Sequence, residues 1–291
     1  MIYIHADDYG YSINTSKDIL DCIRKGYLDS ISIICNNSSF EECMNMLYEE
    51  IPSLPFLPLM SVHINLVEGS SVSKCLPMSW GKLFINSLLK NNFLKSEIKK
   101  EIKRQIEKTQ FCIDKCLTIA KNNSIPCKQK ALRLDSHVHT HPIPIVWNCL
   151  TEVIAEEEYE IEHIRNPKEP IIPFISSIDL WFSYSLINII KNRILMLLSK
   201  KIDDYCKHQR INKMYLWGLV MSGHMDIHRI SKLYKKMWKY SNDRDLVLLF
   251  HPGMALDDEY TFEMDKNGFN TSKNRSIEKE AVNKLKDILK Y

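Results

Sequence analysis

Seven short apolar runs recur along the chain, and helical segments alternate with them. We predict strands at residues 2–6, 30–35, 59–62, 131–134, 161–164, 214–221 and 245–250. Nearly every run is followed by a polar residue able to take part in chemistry. A β/α barrel carries its active site on the carboxyl ends of all its strands, whereas an open doubly wound sheet gathers it at one switch point. The wide spread therefore predicts an α/β fold, a distorted seven-stranded TIM-like (β/α) barrel.

Two stretches fit the alternation of strands and helices less well. The first, a glycine- and serine-containing stretch at about 67–93, is predicted to be a loop insertion over the barrel mouth. The second, at about 170–209, is predicted to be a helical insertion that either caps the site or forms a subunit contact. The sequence does not decide between a monomer and a homodimer. We otherwise predict one domain over residues 1–291.

Two helices are clear from the sequence. Residues 15–25 are predicted to be helical and to end at Gly26, a common residue after a helix. Residues 96–121 are predicted to form a long helix with Ser96 as its N-cap. One stripe of the long helix is apolar and is expected to face the core, namely Ile98, Ile102, Ile106, Ile113 and Leu117.

Composition excludes several classes of function. The 39 basic and 36 acidic residues leave a formal net charge of +3, which is too small to indicate nucleic acid or an anionic membrane as a partner. The phosphate-loop, dinucleotide-binding and nucleophile-elbow motifs do not occur, and 8 glycines are few for a backbone cradle around phosphate. The sequence thus favours neither nucleotide chemistry nor a serine hydrolase.

Cysteine usage and the first residues bear on location. The 9 cysteines form no C-x-x-C pair and are expected to be reduced core residues. The opening residues have neither a basic region nor an apolar stretch long enough for a signal peptide, so a leader is not expected. Residues 186–198 are apolar but are interrupted by Lys191, Asn192 and Arg193, so a membrane span is not expected. We predict a cytoplasmic protein.

Three histidines, His137, His139 and His141, occupy alternate positions after the fourth predicted strand. In an extended strand, alternation would place all three imidazoles on one side. Such a cluster beside Asp135 is typical of a divalent metal site. Exposed loop histidines are the alternative.

A second acidic and histidine set adds to this signal. Asp7 and Asp8 follow the first strand, where one carboxylate can bind a metal while its neighbour takes a proton from water. A turn or helix cap is the alternative for this pair. Taken with Asp8 and His137, His63 after the third strand completes a two-histidine, one-carboxylate set that suits zinc or another divalent ion. By itself, His63 is more simply a core histidine.

Three further residues at strand ends are candidates for catalysis. Arg165 can orient a carboxylate or stabilise an oxyanion, with a surface salt bridge as the alternative. His251 can serve as a general acid, or it can be a loop histidine bonded to the backbone. His224 has a similar but weaker signal, because Ser-Gly-His is also an ordinary loop sequence.

Several blocks resemble the YdjC-like carbohydrate deacetylases. The order and approximate spacing of these blocks hold from residue 1 to about Arg165, and a further block follows near the C-terminus. The matching blocks are Ala6–Ser12, Gly26–Asn36, Val62–Gly69, Leu134–His141, Arg165 and His251–Pro252. His5 and Tyr9 depart from residues common in that family, although neither departure removes a ligand.

The resemblance implies a metal-dependent hydrolase that removes acetyl groups from N-acetylated sugars, such as short chitooligosaccharides. It implies Mg²⁺ or Zn²⁺ held by Asp8, His63 and His137, with Asp7 as the general base. From their position at strand ends, we expect Arg165 to help stabilise the oxyanion and His251, or His139 instead, to protonate the leaving amine.

Two other functions stay open at this point. The H-x-H strand is also similar to amidohydrolase and histidinol-phosphatase-like barrels, which would make the protein a metal-dependent phosphoesterase. Those barrels carry H-x-H on the first strand, whereas this chain has Asp7 and Asp8 there. A sugar-binding barrel without turnover is the non-enzymatic alternative.

Overall fold

The computed structural model describes residues 1–89, 91–256 and 268–288, and its centre is one sheet of seven parallel strands. The strands are β1 (Ile2–Tyr9), β2 (Ser30–Ile33), β3 (Leu59–Ile64), β4 (Leu132–Ser136), β5 (Ile161–Ile164), β6 (Met214–Trp217) and β7 (Asp245–Phe250). Their order is β5-β4-β3-β2-β1-β7-β6. This is the cyclic order of a barrel with one seam left unpaired between β5 and β6. The predicted distorted, seven-stranded TIM-like barrel is confirmed.

Helices lie between the strands, as a β/α succession requires. They are α1 (Ile13–Arg24), α2 (Phe40–Glu50), α3 (Trp80–Leu88), α4 (Asn92–Asn122), α5 (Pro144–Glu156), α6 (Ile172–Ile175), α7 (Leu186–Leu198), α8 (Lys200–His208), α9 (Ile227–Trp238) and α10 (Asn274–Ile288). None of the helices in the described part of the chain combines the length and the apolar character needed to cross a bilayer.

The strands are buried because helices cover the sheet. All four residues of β2, and all but the first residue of β3 and β7, are buried. Strands buried on both faces have near-continuous apolar sequences, which is why these runs could be found from the sequence. On α4 the predicted apolar stripe does face the core, with Ile98, Ile102, Ile106 and Ile113 fully buried and Leu117 partly so.

The open seam of the barrel is bridged by polar contacts. The amide of Leu216 in β6 donates to the carbonyl of Lys168, just beyond β5, at 2.9 Å. The buried Glu169 carboxylate then accepts hydrogen bonds from the amides of Gly218 and Val220 at 2.6 and 2.8 Å. Because these groups lie at the carboxyl ends of the strands, the seam is closed where the candidate site lies.

Several predicted boundaries are wrong. The long helix α4 begins at Asn92, and its N-cap is Asn91, which accepts a hydrogen bond from the Leu94 amide, rather than Ser96. The stretch 67–93 is not a continuous loop, since it contains α3. The sixth strand ends at Trp217, because Gly218 has a φ of +144° that turns the chain out of the sheet.

The prediction of one strand face for the three histidines is also wrong. Strand β4 ends at Ser136, and residues 137–139 form a 3₁₀ turn. Val138 and His139 have positive φ angles of 46° and 56°. These values are rare for residues other than glycine, and most of all for β-branched valine, so the turn is strained. The turn sends the three imidazoles to different places.

Candidate metal centre and active site

Asp8, His63 and His137 come together at the carboxyl ends of β1, β3 and β4. The His137 Nδ1 lies 3.1 Å from Asp8 Oδ1, and the His63 Nε2 lies 3.6 Å from the same oxygen. One ligand atom from each of the three residues lies within 4.8 Å of the other two, and all three side chains are buried. The three predicted metal ligands therefore form one cluster.

A β-bulge explains why the neighbouring Asp7 and Asp8 reach the same site. In a regular strand, adjacent side chains point to opposite faces. The pairing of β1 with β2 shifts register between Ala6 and Tyr9, and Asp8 has a φ of +72°. A bulge of this kind redirects a side chain, and such bulges are common next to active sites. The backbone strain at Asp8 thus places two carboxylates side by side.

The ligand atoms are spaced as a metal ion requires. With bonds of 2.0–2.2 Å to nitrogen and oxygen, adjacent ligands of an octahedral or tetrahedral ion lie about 2.8 to 3.6 Å apart. The distances of 3.1 and 3.6 Å at Asp8 Oδ1 are close to this spacing. Two imidazoles and one carboxylate are donors that suit a divalent ion with positions left for water and substrate. The residues present fit a divalent metal.

Each of the three ligands is oriented by another side chain, of which Asp135 and Arg275 are buried and Glu68 is partly exposed. His63 Nδ1 is hydrogen-bonded to Asp135 Oδ1 at 2.5 Å. Asp135 is the residue directly opposite His63 in the pairing of β3 with β4, so the sheet register itself brings the two together. An imidazole that binds a metal through one nitrogen is held at the other by a carboxylate in the same way.

The outward nitrogen of His137 also faces a carboxylate. Its Nε2 lies 3.3 Å from Glu68 Oε2. The outer oxygen of Asp8 accepts hydrogen bonds from both terminal nitrogens of Arg275 at 3.0 Å. Arg275 lies on α10, is fully buried, and also donates to the Gly253 carbonyl. Glu68 and Arg275 therefore position His137 and Asp8.

Arg165 binds protein carboxylates. It holds both oxygens of Asp7, with distances of 2.7 and 2.6 Å, and lies 2.8 Å from Asp135 Oδ2. We therefore assign Arg165 to the positioning of Asp7 in place of the oxyanion contact expected from the sequence. His5, Asp7 and Asp135 also form a carboxylate-rich group. Since the Arg165 guanidinium already supplies its positive charge, a second metal is not needed there.

The same contacts set the charge of Asp7. Burial by itself would raise the pKa of this carboxyl group, but the Arg165 guanidinium, followed by His63, lowers the pKa well below its ordinary value. The Asp7 Oδ2 atom lies 3.8 Å from His63 Nε2. An ionised carboxylate, fixed by two hydrogen bonds, therefore lies beside the metal-binding cluster.

His251 follows β7 and faces the same carboxylate. Its Nε2 lies 4.0 Å from Asp7 Oδ2, and its Nδ1 lies 3.4 Å from Glu278 Oε2. Glu278, on α10, also accepts a hydrogen bond from the His251 amide at 2.6 Å. The ring packs edge-on against Phe269. His251 is thus oriented from the side away from the cluster.

The remaining histidines have other environments. His141 is hydrogen-bonded to Ser136 Oγ at 2.6 Å and to the Arg165 carbonyl at 2.7 Å, and burial lowers its pKa to about 4. Burial, followed by the charge of Lys191, lowers the pKa of His139 well below its ordinary value. No hydrogen bond or ion pair among the described residues joins the His224 side chain to the cluster.

Sequence reasoning missed four contributors to the site. Asp135 and Glu68 stood in the quoted motifs without an assigned role, and Asp135 could have been found from its place at the end of a strand opposite His63. Arg275 and Glu278 are separated by 3 positions on an ordinary-looking polar helix, and nothing in the local pattern marks them.

Comparisons with known proteins find one family and several distant relatives. Residues 1–112 match the family described as YdjC-like protein. A carbohydrate deacetylase of Xenopus laevis is 27% identical over 180 residues, covering 58% of this chain and 51% of that protein. The Danio rerio carbohydrate deacetylase is 25% identical over 183 residues, covering 60% and 51%. That of Brevibacillus brevis is 24% identical over 169 residues, covering 57% and 59%.

This chain spans about half the length of the curated relatives it matches. A solved structure from Enterococcus faecalis V583, whose printed name concerns cellobiose-phosphate cleavage, is 15% identical and covers 97% of this chain and 94% of that one. Its TM-score of 0.48 makes it too remote to bear on the site. Over residues 1–112 this chain is therefore similar to the YdjC-like family, and its distant relatives are named carbohydrate deacetylase.

Proposed function

We propose that this protein hydrolyses the acetamide of an N-acetylated sugar or short oligosaccharide, releasing acetate and leaving a free amine. One observation carries the proposal: the fixed, ionised Asp7 carboxylate lies between His63 of the metal-binding cluster and His251, at 3.8 and 4.0 Å. The name carbohydrate deacetylase, borne by the relatives, supports the class of substrate.

Asp8, His63 and His137 would hold the metal, for which Zn²⁺ and Mg²⁺ are the candidates. A divalent ion in such a site supplies Lewis acidity, since it lowers the pKa of water and polarises a carbonyl oxygen. The two imidazole donors favour zinc, because magnesium prefers oxygen ligands.

Asp7 is assigned as the general base. It accepts a proton from the attacking water as the new carbon–oxygen bond forms, and Arg165 keeps the carboxylate from rotating away. Its low pKa means that Asp7 is ionised, and so able to take a proton, at neutral pH.

His251 is assigned as the general acid. The carbon–nitrogen bond of the acetamide breaks, and the leaving nitrogen takes a proton from His251 Nε2. The lowered pKa of His139 leaves that ring neutral and unable to donate in this way, so we prefer His251 of the two. Glu278 orients the other nitrogen of His251.

Acetate release from a panel of N-acetylated mono- and oligosaccharides tests the proposal. We expect release that stops after chelation and returns when Zn²⁺ or Mg²⁺ is added back. Asp7→Asn should lower kcat by about 10²- to 10⁴-fold, the usual contribution of a general base. Calorimetry should show that this variant still binds the metal.

Asp114→Asn is the matched control, since Asp114 is an exposed carboxylate on α4. It should leave turnover unchanged. Wild-type turnover by Asp7→Asn would overturn the assignment of the base. Phosphate release from added sugar phosphates, with no acetate released from the panel, would indicate a phosphoesterase. Sugar binding without any product would indicate a binding protein. Either result would overturn the proposed function.

A further inference from the structure

Helix α7 and the segment before it expose an unusual amount of apolar surface. The side chains with a third or more of their surface open are Ile172, Ile175, Ile178, Trp181, Phe182, Leu186, Ile187, Ile190, Ile194 and Leu197. At on the order of 100 Å² each, they amount to about 1,000 Å² of apolar surface. Contiguous apolar patches on monomeric proteins rarely exceed a few hundred Å², and larger ones mark interaction sites.

The helix itself is apolar around most of its circumference. Its inner side packs into the protein, where Asn192 and Leu195 are fully buried. The side-chain amide of Asn192 donates to the backbone carbonyl of Glu169 at 3.1 Å, so this side is fixed to the barrel seam. A helix that is apolar all round is normally buried all round. The outer side of α7 is therefore expected to be covered.

The outer side has the spacing of a coiled-coil seam. Ile187, Ile190, Ile194 and Leu197 are separated by 3, 4 and 3 positions, and we call these four residues the α7 face. Their exposed fractions are 76, 53, 36 and 80%. Apolar residues spaced alternately by three and four are the a and d positions that pack two helices side by side.

The α7 face is also complementary to itself. If a second α7 lies antiparallel across a twofold axis at position 192, Ile187 pairs with Leu197 of the other copy and Ile190 pairs with Ile194. All four positions then find apolar partners, as a symmetric dimer interface requires. At about 100 Å² each, the four residues of the α7 face supply about 400 Å² of the roughly 800 Å² that each partner buries in a stable interface. The open side chains of the preceding segment extend this surface, since Ile175 and Trp181 line one groove with Ile189 and Arg193 of α7.

We propose that the α7 face is the contact between two copies of this chain, joined by antiparallel packing of α7 on α7. An apolar groove of about 590 Å³ adjoins the face and shares Ile189 and Arg193 with α7. Trp181 and Tyr184 line the same groove. The contact therefore continues from the helix pair into an apolar cleft.

A bilayer surface is the other occupant to be tested. Helices that lie on membranes carry lysine and arginine along a polar face that stays in water. The polar residues of α7 form no such face, because Asn192 is fully buried. Of the two cations, Lys191 is partly buried and burial lowers its pKa to about 8, while Arg193 is exposed at the edge of the apolar groove. This arrangement favours a protein partner.

Sedimentation equilibrium of the full chain tests the proposal. We expect a mass of twice 34.2 kDa for the wild type. The double variant Ile190→Glu with Ile194→Glu should weaken association by at least 100-fold and sediment at 34.2 kDa. The matched control is Ile85→Glu with Leu88→Glu on α3, two residues that are more open than Ile190 and Ile194 but lie outside the face. It should stay dimeric.

Disulfide trapping tests the pairing of Ile187 with Leu197 of the other copy directly. This test does not require that the glutamate variants fold. In a Cys127→Ser background, which removes an exposed thiol, Ile187→Cys with Leu197→Cys should give a dimer on non-reducing gels. Within one chain these positions are about 15 Å apart along the helix, too far for a disulfide. Either cysteine alone should not cross-link, because the two copies of one position lie equally far apart.

Three results would overturn the proposal. The first is a wild-type mass of 34.2 kDa at the highest concentration used. The second is a dimer that survives the Ile190→Glu and Ile194→Glu changes and gives no cross-link. The third is a monomer that binds vesicles of neutral and anionic phospholipid through this face, which would make it a membrane-binding surface. None of these readouts depends on catalytic activity.

Discussion

Asp135→Asn is expected to weaken metal binding although Asp135 is not itself a ligand. Asp135 accepts hydrogen bonds from His63 Nδ1 and Ser32 Oγ, both at 2.5 Å, and lies 2.8 Å from Arg165. The substitution keeps the shape but removes the negative charge that fixes the His63 ring. Burial opposes ionisation of Asp135, yet Arg165 lowers its pKa to about 2, so the charge is present at neutral pH.

The size of the effect follows from the kind of contact that is lost. Removing the carboxylate behind a metal-binding histidine typically weakens metal affinity by about 10- to 100-fold. This corresponds to about 1.4 to 2.7 kcal/mol of binding free energy. Because Asp7 still holds Arg165 by two hydrogen bonds, the base should remain in place. Saturating metal should therefore restore much of the turnover.

Calorimetric titration of the chelator-stripped protein with Zn²⁺ measures this change. Asp203→Asn is a matched control, since Asp203 is a carboxylate bonded to Asn166, Lys168 and Arg244 that is not among the candidate ligands. It should lower stability without changing metal affinity. If the two variants bind zinc equally well, Asp135 does not act through His63 and the reasoning is wrong.

Three further predictions concern protons and stability. In the metal-free protein, burial would lower the pKa of His137, but the Asp8 carboxylate raises it to about 10. Metal binding at neutral pH should therefore release about one proton. Binding enthalpies that are equal in buffers of different ionisation enthalpy would contradict this. Glu278→Gln should lower kcat and change the pH profile of kcat while leaving metal affinity intact, because it removes the carboxylate beside His251. A change confined to metal affinity would argue against a role of Glu278 in orienting His251. The pKa of Asp7 is depressed in the folded state, so its contribution to stability is present above its unfolded pKa and is lost as the pH falls. Asp7→Asn should therefore flatten the decrease in unfolding free energy below about pH 4. Parallel plots of unfolding free energy against pH for the wild type and the variant, measured by denaturant titration, would refute this.

The strands could be found from the sequence because burial on both faces gives them continuous apolar runs. The residue after each run marks the carboxyl edge of the sheet, and at that edge the structure brings Asp8, His63 and His137 close together. Where backbone geometry departs from the regular period, the pattern failed. The bulge at Asp8 and the 3₁₀ turn at residues 137–139 are set by strained φ angles that local composition does not encode.

Contacts over long sequence separations were also beyond the pattern. Arg275 and Glu278 look like ordinary surface residues of an amphipathic helix until the fold packs α10 against β7. Their burial depends on where a distant helix docks, and a window of neighbouring residues carries no information on that. By contrast, the partner of His63 could have been predicted, since Asp135 ends the next strand of the sheet.

The contact between Arg275 and Asp8 has a consequence for how the protein is made. The two residues are 267 positions apart, and Asp8 is fully buried in the finished fold. At 5 to 20 residues per second, the ribosome adds Arg275 roughly 13 to 53 s after Asp8. During that time the Asp8 carboxylate lacks this compensating charge, and a buried charge without a partner is strongly destabilising. The carboxyl end of β1 must therefore stay hydrated during synthesis. Asp8 is made first among the metal-binding residues, yet its ion pair with Arg275 can form only near the end of synthesis.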